Sequence, residues 1–493
     1  MDSLTGLLFG ISTALDPVVL LYCFAGVFIG TFIGVLPGLG ALATISLLLP
    51  LTYHVPPVMG FVMLAGVYYG AQYGGSTASI LLNLPGTPSN VVTCIDGYQM
   101  TQQGRAGPAL FMTAASSFVG GMIGVLLLIF FVNDVAAIGL KFGSAEYFSL
   151  MCLGLVTAST VATGSRLKSV AMVVVGLLLG TVGTDLDSGV PRFAFGITEL
   201  LDGVSLVVLA MGLFGFVEVA RSAKYAMPQL YSKITVQSML PTKQDVKRSI
   251  APTLRGSIIG SFFGALPGTG PSIAAFSAYS VEKKFSKNAK KLGTGAIEGV
   301  VAPEAANNAA AQTAFIPTLT LGIPGDAIMA LMIGALMMHG IQPGPLMIAN
   351  QPEIFWGLIA SFIIGNVFLL ILNIPMIGIW VGLLRIPYHY LYPAILTFIA
   401  LGVYSVNNNV FDIYAVAVIG VAGYMLTIAK FEFAPLLLGF VLGPLIEENL
   451  RRALVLSSGS FMTFIERPIS AGFLAAILTI AVVVVVKSTK PQT

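Results

Sequence analysis

The sequence predicts an all-α polytopic membrane protein made of two inverted-topology repeats, with discontinuous helices, re-entrant hairpins and about 10–12 transmembrane spans. Three observations carry this expectation. The 493 residues are 56% hydrophobic and 9% charged, with a mean hydropathy of +0.92, which leaves too little polar surface to coat a water-soluble globule. Interrupted apolar segments recur at a nearly constant offset. The basic residues, finally, are crowded into a few loops.

Those loops orient the chain. The first Lys or Arg is Arg105, whereas residues 221–291 hold half of the 24 basic residues. By the positive-inside bias, the loop from Arg221 to Arg248 and the run Lys283, Lys284, Lys287, Lys290, Lys291 are cytoplasmic. Shorter cytoplasmic turns carry Arg105, Arg166 with Lys168, Arg385 and Lys430. Apolar runs between them place plain spans near 17–36, 56–72, 108–131, 145–163, 168–184, 195–219, 249–266, 353–373, 390–405, 411–428, 433–446 and 468–486.

The repeat is the most informative feature. Gly34-Val35-Leu36-Pro37-Gly38-Leu39-Gly40 returns 230 residues later as Gly264-Ala265-Leu266-Pro267-Gly268-Thr269-Gly270. Leu84-Pro85-Gly86 returns 239 residues later as Ile323-Pro324-Gly325, and the basic run accounts for the difference. The turn after the first L-P-G-x-G has no basic residue and the turn after the second has five, which places equivalent turns on opposite sides and favours an inverted repeat, with a parallel duplication as the alternative. The expected organisation is a first transmembrane repeat over 1–220, a cytoplasmic basic linker over 221–248, a second repeat over 249–465, and a C-terminal transmembrane helix and tail over 466–493.

Several chemistries are excluded cheaply. A net charge of +3 gives no basis for a nucleic-acid partner. Cys23, Cys94 and Cys152 are far apart, as are His54, His339 and His389, so neither set forms a metal or redox motif. No Gly precedes a Lys, which removes the Walker A loop, and no GxSxG elbow is present. No enzyme activity and no cofactor are expected. Met1-Asp2-Ser3-Leu4 lacks the basic region of a cleavable signal, so the N-terminal apolar stretch is expected to stay.

Paired Gly/Pro interruptions in oppositely oriented repeats point to a secondary transporter with its site near the bilayer midplane. New half-helices are expected within Tyr69–Ser79, where Ser76, Thr77 and Ser79 offer capping hydroxyls, and around Pro303-Glu304-Ala305-Ala306-Asn307-Asn308 with Gln312-Thr313. Two half-helix N-termini aimed at one cavity hold an anion without buried Lys or Arg, and carbonyls at the opposite ends hold Na⁺. Close helix packing by small residues, with Asn as interhelical glue, is the competing explanation. Glu304 reads as an intramembrane functional acid or a cap, and Asp326 as a first-turn cap or a cation ligand.

The runs Gly34 to Gly40, Tyr69 to Ser76, Asp96-Gly97-Tyr98, Gly264 to Gly270, Ala302 to Ala309, Leu319 to Gly325, Gly344-Pro345 and Leu442 to Arg452 resemble the large membrane subunit of the tripartite tricarboxylate transporters, the TctA family. The string Ala-Pro-Glu-Ala-Ala-Asn-Asn is the most specific of them. The resemblance implies a bacterial inner-membrane symporter driven by Na⁺ or H⁺ that takes up citrate-like carboxylates. It also implies a small membrane subunit and a periplasmic solute-binding protein as partners, and leaves a homo-oligomer open. Carried over residue by residue, substrate binding falls to Gly38, Gly40, Gly74, Gly75 and Ser76, and to Gly268, Thr269, Gly270, Asn307, Asn308 and Thr313. The Na⁺ candidates are Thr77, Asn308 and Asp326. Gly86 to Asn90 varies within the family, so the substrate does not carry over. A carboxylate channel or a permease independent of a binding protein is the alternative.

Overall fold

The computed structural model describes residues 3–36, 40–161, 165–185, 188–222, 234–384 and 388–489. They are helical almost throughout; the strands among them are the two-residue pieces Gly183–Thr184 and Pro191–Arg192, paired antiparallel. Among the described residues four helices are long and apolar enough to cross a membrane: Pro17–Val35, Ala106–Gly139, Pro352–Asn373 and Val410–Ile428. Shorter apolar helices, such as Ala41–Tyr53 and Ala327–Met338, sit beside them.

The helix Pro17–Val35 begins where Asp16 accepts from the N–H groups of Val18 and Val19 (2.9 and 3.2 Å), with Pro17 needing no acceptor. It lies along Pro57–Leu82, its most extensive partner. The contact is a glycine zipper. A β-carbon at Gly26, Gly30 or Gly34 would run into the carbonyls of Met63, Val67 or Ala71, and one at Gly66 or Gly70 would run into Val27 backbone atoms. Backbones approach this closely only where side chains are missing. The helices Lys243–Gly264 and Glu298–Thr313 pair in the same way, with Gly256, Gly260 and Gly264 against Ala302, Ala306 and Ala310.

Two further helices tie the halves together. Ala106–Gly139 packs on Glu298–Thr313, with Gly120 and Gly124 against Ala305 and Ala309. Pro352–Asn373 packs on Pro57–Leu82, where the rings of Tyr69 and Phe362 meet edge to face at 5.9 Å. Both helices that carry the richest polar motifs are thereby buried between partners from each half of the chain.

The structure corrects two expectations. No half-helix starts within Tyr69–Ser79, because Pro57–Leu82 runs unbroken through it; Pro303 to Thr313 likewise lies inside Glu298–Thr313, which Phe315–Leu321 continues after Ala314. Their small residues serve packing, and keeping the helix intact satisfies the backbone polar groups internally, as a dry environment demands. The span expected at 195–219 is also displaced. Residues 183–185 and 188–205 hold the short strand pair and turns, and the helix starts at Leu206, continuing through a π-helical stretch at Met211–Phe216.

The basic end of the molecule is held by ion pairs: Arg105 with Asp245 (2.5 Å), Arg248 with Glu298 (2.6 Å) and Arg255 with Glu282 (2.7 Å). Asp245 also completes a capping box with Thr242 at the start of Lys243–Gly264. Burial opposes its ionisation, but the Thr242 hydroxyl and the Arg105 guanidinium outweigh burial and hold its carboxyl below the usual range. A lowered folded value means the stabilisation is complete above the unfolded aspartate value and fades as pH falls through the lowered one. Arg105→Ala should therefore shrink the difference in melting temperature between neutral and strongly acidic pH; an unchanged difference would remove Arg105 from this role.

Candidate functional site

Both L-P-G-x-G motifs interrupt their helices. Pro17–Val35 stops before Leu36, and Ala41–Tyr53 starts from Gly40. Lys243–Gly264 stops before Ala265, and Gly270–Phe285 starts from Thr269, with Gly268 and Gly270 at φ +80° and +63°. Such angles suit glycine, and Pro267 lacks the donor that a continuing helix would use. The second Pro-Gly motifs are breaks as well: Pro57–Leu82 ends at left-handed Asn83, and Phe315–Leu321 at left-handed Gly322.

Within each half the two breaks touch. Gly86 is pressed onto the Gly34 carbonyl and the Gly75 α-carbon, and Gly40 faces the Gly86 carbonyl. Gly325 lies against the Gly264 carbonyl, and Gly270 against the Asp326 side chain. Links between the halves run from a continuous helix of one to the second break of the other. Tyr68 donates its hydroxyl to Asp326 Oδ2 (2.5 Å), and Asn90 Nδ2 and the Thr93 hydroxyl donate to Glu304 Oε1, the former at 3.0 Å.

Around Glu304 lies a buried polar core. Asn307 Nδ2 donates to Glu304 Oε2 (3.3 Å), and Asn308 Nδ2 to Asn307 Oδ1 (2.6 Å). On the other side the hydroxyls of Thr87 and Ser89 converge on Gln72 Oε1 (3.1 and 2.5 Å). Glu304, Asn307, Asn308, Gln312 and Asn90 are at most 1% exposed, so the core is closed in this conformation. Among the described residues, Asn308 Oδ1 and both polar atoms of Gln312 have no hydrogen-bond partner. Leaving buried polar atoms unpaired is costly, and each one asks for a ligand or an ordered water.

The residues expected to bind substrate are distributed unevenly. Gly38 lies outside the described residues. Gly40 is the N-cap of Ala41–Tyr53, and Gly75 adjoins Asn90 Oδ1. Ser76 returns its hydroxyl to the Tyr73 carbonyl (2.8 Å), and Gly74 is pressed onto the Thr31 carbonyl in the zipper. Gly268 packs on Thr157 and Ala158, and Thr269 turns its hydroxyl back to the Phe263 and Leu266 carbonyls. Gly270 meets Asp326, and Thr313 returns its hydroxyl to the Ala309 carbonyl (3.0 Å) beside Gly264. Asn307 and Asn308 are in the polar core. Of the Na⁺ candidates, Asn308 has a free acceptor, Thr77 is buried, and Asp326 caps Ala327–Met338 by accepting from the Met329 N–H (2.8 Å).

Sequence reasoning gave no role to Tyr68, Gln72, Asn90, Thr93 or Asn366, although all five reach this network or its margin. One signal was available for Asn366, an amide in the middle of the apolar helix Pro352–Asn373, since a polar group at that depth needs a partner. The Tyr73 hydroxyl points at its Oδ1 from 3.4 Å.

A multi-pass helical membrane protein whose interrupted helices surround a nearly uncharged polar core belongs to the class that handles a polar solute inside the bilayer. The tripartite tricarboxylate transporter TctA family matches residues 20–438, and the chain belongs to that family. It is a family of transporters, not enzymes, and of tripartite ones, with a small membrane component and a periplasmic binding protein. The chain is 51% identical over 492 residues to an uncharacterized 52.8 kDa protein of the TAR-I ttuC' 3' region of Agrobacterium vitis, covering 100% of this chain and 98% of that one. A protein of the TAR-II ttuC' 3' region of the same organism is 54% identical over 233 residues, 47% of this chain and 96% of its own length. No solved structure matches.

Proposed function

We propose that the chain is the large membrane subunit of a carboxylate uptake system of the bacterial inner membrane, a cation-coupled symporter fed by a periplasmic binding protein. One observation carries the substrate class. Among the described residues no side chain caps the helices that open at the two L-P-G-x-G breaks, Ala41–Tyr53 and Gly270–Phe285, whereas Asp326 caps Ala327–Met338. Uncapped N-termini present free N–H groups and the positive end of the helix dipole, which suits a carboxylate and needs no buried Lys or Arg.

The recurrence of two breaks in each half, each pair in contact, supports an inverted repeat with re-entrant hairpins at the L-P-G-x-G tips, within ten to twelve crossings. In this mechanism the closed polar core opens alternately to either side. Substrate and cation each favour the transporting conformation only through their differential affinity for it, and the cation offsets the substrate's charge.

Proteoliposomes holding the chain with its two partners test the reading. Uptake of a small carboxylate should saturate and should follow an imposed Na⁺ or H⁺ gradient. A β-carbon at Gly40 meets the Gly86 carbonyl at an ordinary 3.6 Å, so Gly40→Ala should fold. It crowds the approach to the helix end and should lower uptake several-fold at unchanged membrane abundance. Uptake that follows neither gradient, or does not saturate, would overturn symport in favour of a channel.

A further inference from the structure

The segment that follows Gly180 lies on the face opposite the basic loops. Lys168 Nζ donates to the Ala429 carbonyl, and Gly176 and Gly180 rest on the carbonyls of Leu436 and Phe440. The helices Arg166–Gly180 and Ala434–Leu456 therefore start together at a basic end and run parallel. By the positive-inside bias their far ends are non-cytoplasmic. Ion pairs fasten the segment there. The strands Gly183–Thr184 and Pro191–Arg192 pair with each other, Arg192 meets Glu447 at 2.7 Å, and Arg451 meets Asp185 at 2.8 Å.

Just past Arg192, Phe193 and Phe195 sit at φ +53° and +50°. A bulky side chain enters this left-handed region only against a steric penalty. No burial offsets it: Phe193 is 52% exposed and Phe195 84%, with Val190 and Ile197 exposed in the same segment. Strained backbone of this kind persists where a function needs the geometry, and aromatic rings held rigidly at a surface are what protein interfaces use as anchors.

The surroundings indicate the partner. Glu199 and Asp202 are exposed in this segment, and residues 193–205 hold no Lys or Arg. An interfacial membrane anchor carries Lys or Arg beside its apolar residues, whereas acids suit a basic protein surface. Asp202 and Gly203 also line a cavity of about 360 Å³ together with Gly334, Met337 and Met338. The last three belong to Ala327–Met338, the helix that opens at the second Pro-Gly break, so a partner seated here stands beside a helix leading to the interrupted core.

We propose that Val190, Phe193, Phe195 and Ile197, rimmed by Glu199 and Asp202, are the docking surface for the periplasmic binding protein of the tripartite system, through a face of that protein bearing Lys or Arg. The assignment rests on the reading of the chain as a binding-protein-fed transporter and gives that partner its surface.

The probe is the system's periplasmic binding protein, loaded with its carboxylate and titrated onto the full-length chain and its small membrane subunit in nanodiscs. Glycine takes φ +50° without strain, so Phe195→Gly should melt no lower than the wild type while its dissociation constant for the probe rises at least tenfold. Glu199→Lys combined with Asp202→Lys should slow association several-fold and flatten its dependence on salt. Phe195→Trp tests the membrane as the alternative occupant. Its emission should shift when the probe is added; quenching by brominated lipid beyond that of the wild type, with no response to the probe, would make the segment a lipid anchor and overturn the proposal. A wild type that does not bind the probe, or a Phe195→Gly protein that keeps wild-type affinity, removes this surface and leaves gradient-driven uptake untouched. Uptake that needs no binding protein would instead remove the reading on which the surface rests.

Discussion

Gly74→Val should deplete the protein from the membrane, with the loss of transport following from the loss of folded chain. A β-carbon at Gly74 would run into the Thr31 carbonyl and lie 2.8 Å from Val35 N and 3.0 Å from the Gly34 carbonyl carbon. All three are backbone atoms of the neighbouring helix, so no rotamer change relieves the clash. Overpacking a tight contact costs about 1–3 kcal/mol even where side chains can yield, and a rigid helix backbone belongs at the upper end or beyond. Because Gly26, Gly30, Gly34, Gly66 and Gly70 share the seam, prising the helices apart at one point loosens the whole contact. Quantitative blotting of membrane fractions should show a several-fold drop relative to Gly40→Ala. Normal abundance with abolished uptake would instead return Gly74 to the substrate site.

Asp96→Ala should release the basic loop. Gly293 and Gly295 adopt φ +93° and +97°, which lets the turn aim successive N–H groups at one carboxylate. Asp96 Oδ1 accepts from Gly293, Gly295 and Ala296 at 2.9, 2.8 and 2.8 Å, while Tyr279 donates to Oδ2 at 3.0 Å. Removing the carboxylate strands three backbone donors, at roughly 1–3 kcal/mol for each that water does not reach. It also unfastens the helix Val91–Gln102 from residues 293–296. Amide hydrogen exchange at 293–296 should accelerate by at least tenfold, and trypsin should cut sooner after Lys290 and Lys291. Asn at this position keeps one acceptor and should fall between. Exchange rates equal to wild type would mean that the loop is held by something other than Asp96.

The two Pro-Gly breaks in each half were legible from the sequence because their cause is local. Proline lacks the N–H that a helix uses, and glycine tolerates positive φ, wherever the chain runs. The four long apolar helices were legible from their apolar runs, whereas the span expected at 195–219 was not. The string from Gly74 to Ser79 was misread for a physical reason. Glycine, serine and threonine favour both a new helix start and close helix packing, and nothing within the string distinguishes the two. What decides is the partner, a second glycine stripe some 40 residues upstream that mates with the first. Asp326 was legible as a cap because its acceptor role is completed three residues on, by Met329.

An apolar helical chain, its basic end, its break points and its family likeness are all readable from residue order, because they follow from residue chemistry and short-range spacing. Which polar groups meet depends on the folded arrangement. Glu304 finds Asn90 and Thr93 from 214 and 211 residues away, and Tyr68 finds Asp326 from 258. Those pairings form because close helix packing, the glycine seams among it, buries these groups, and a buried polar atom is obliged to take a neighbour or a ligand.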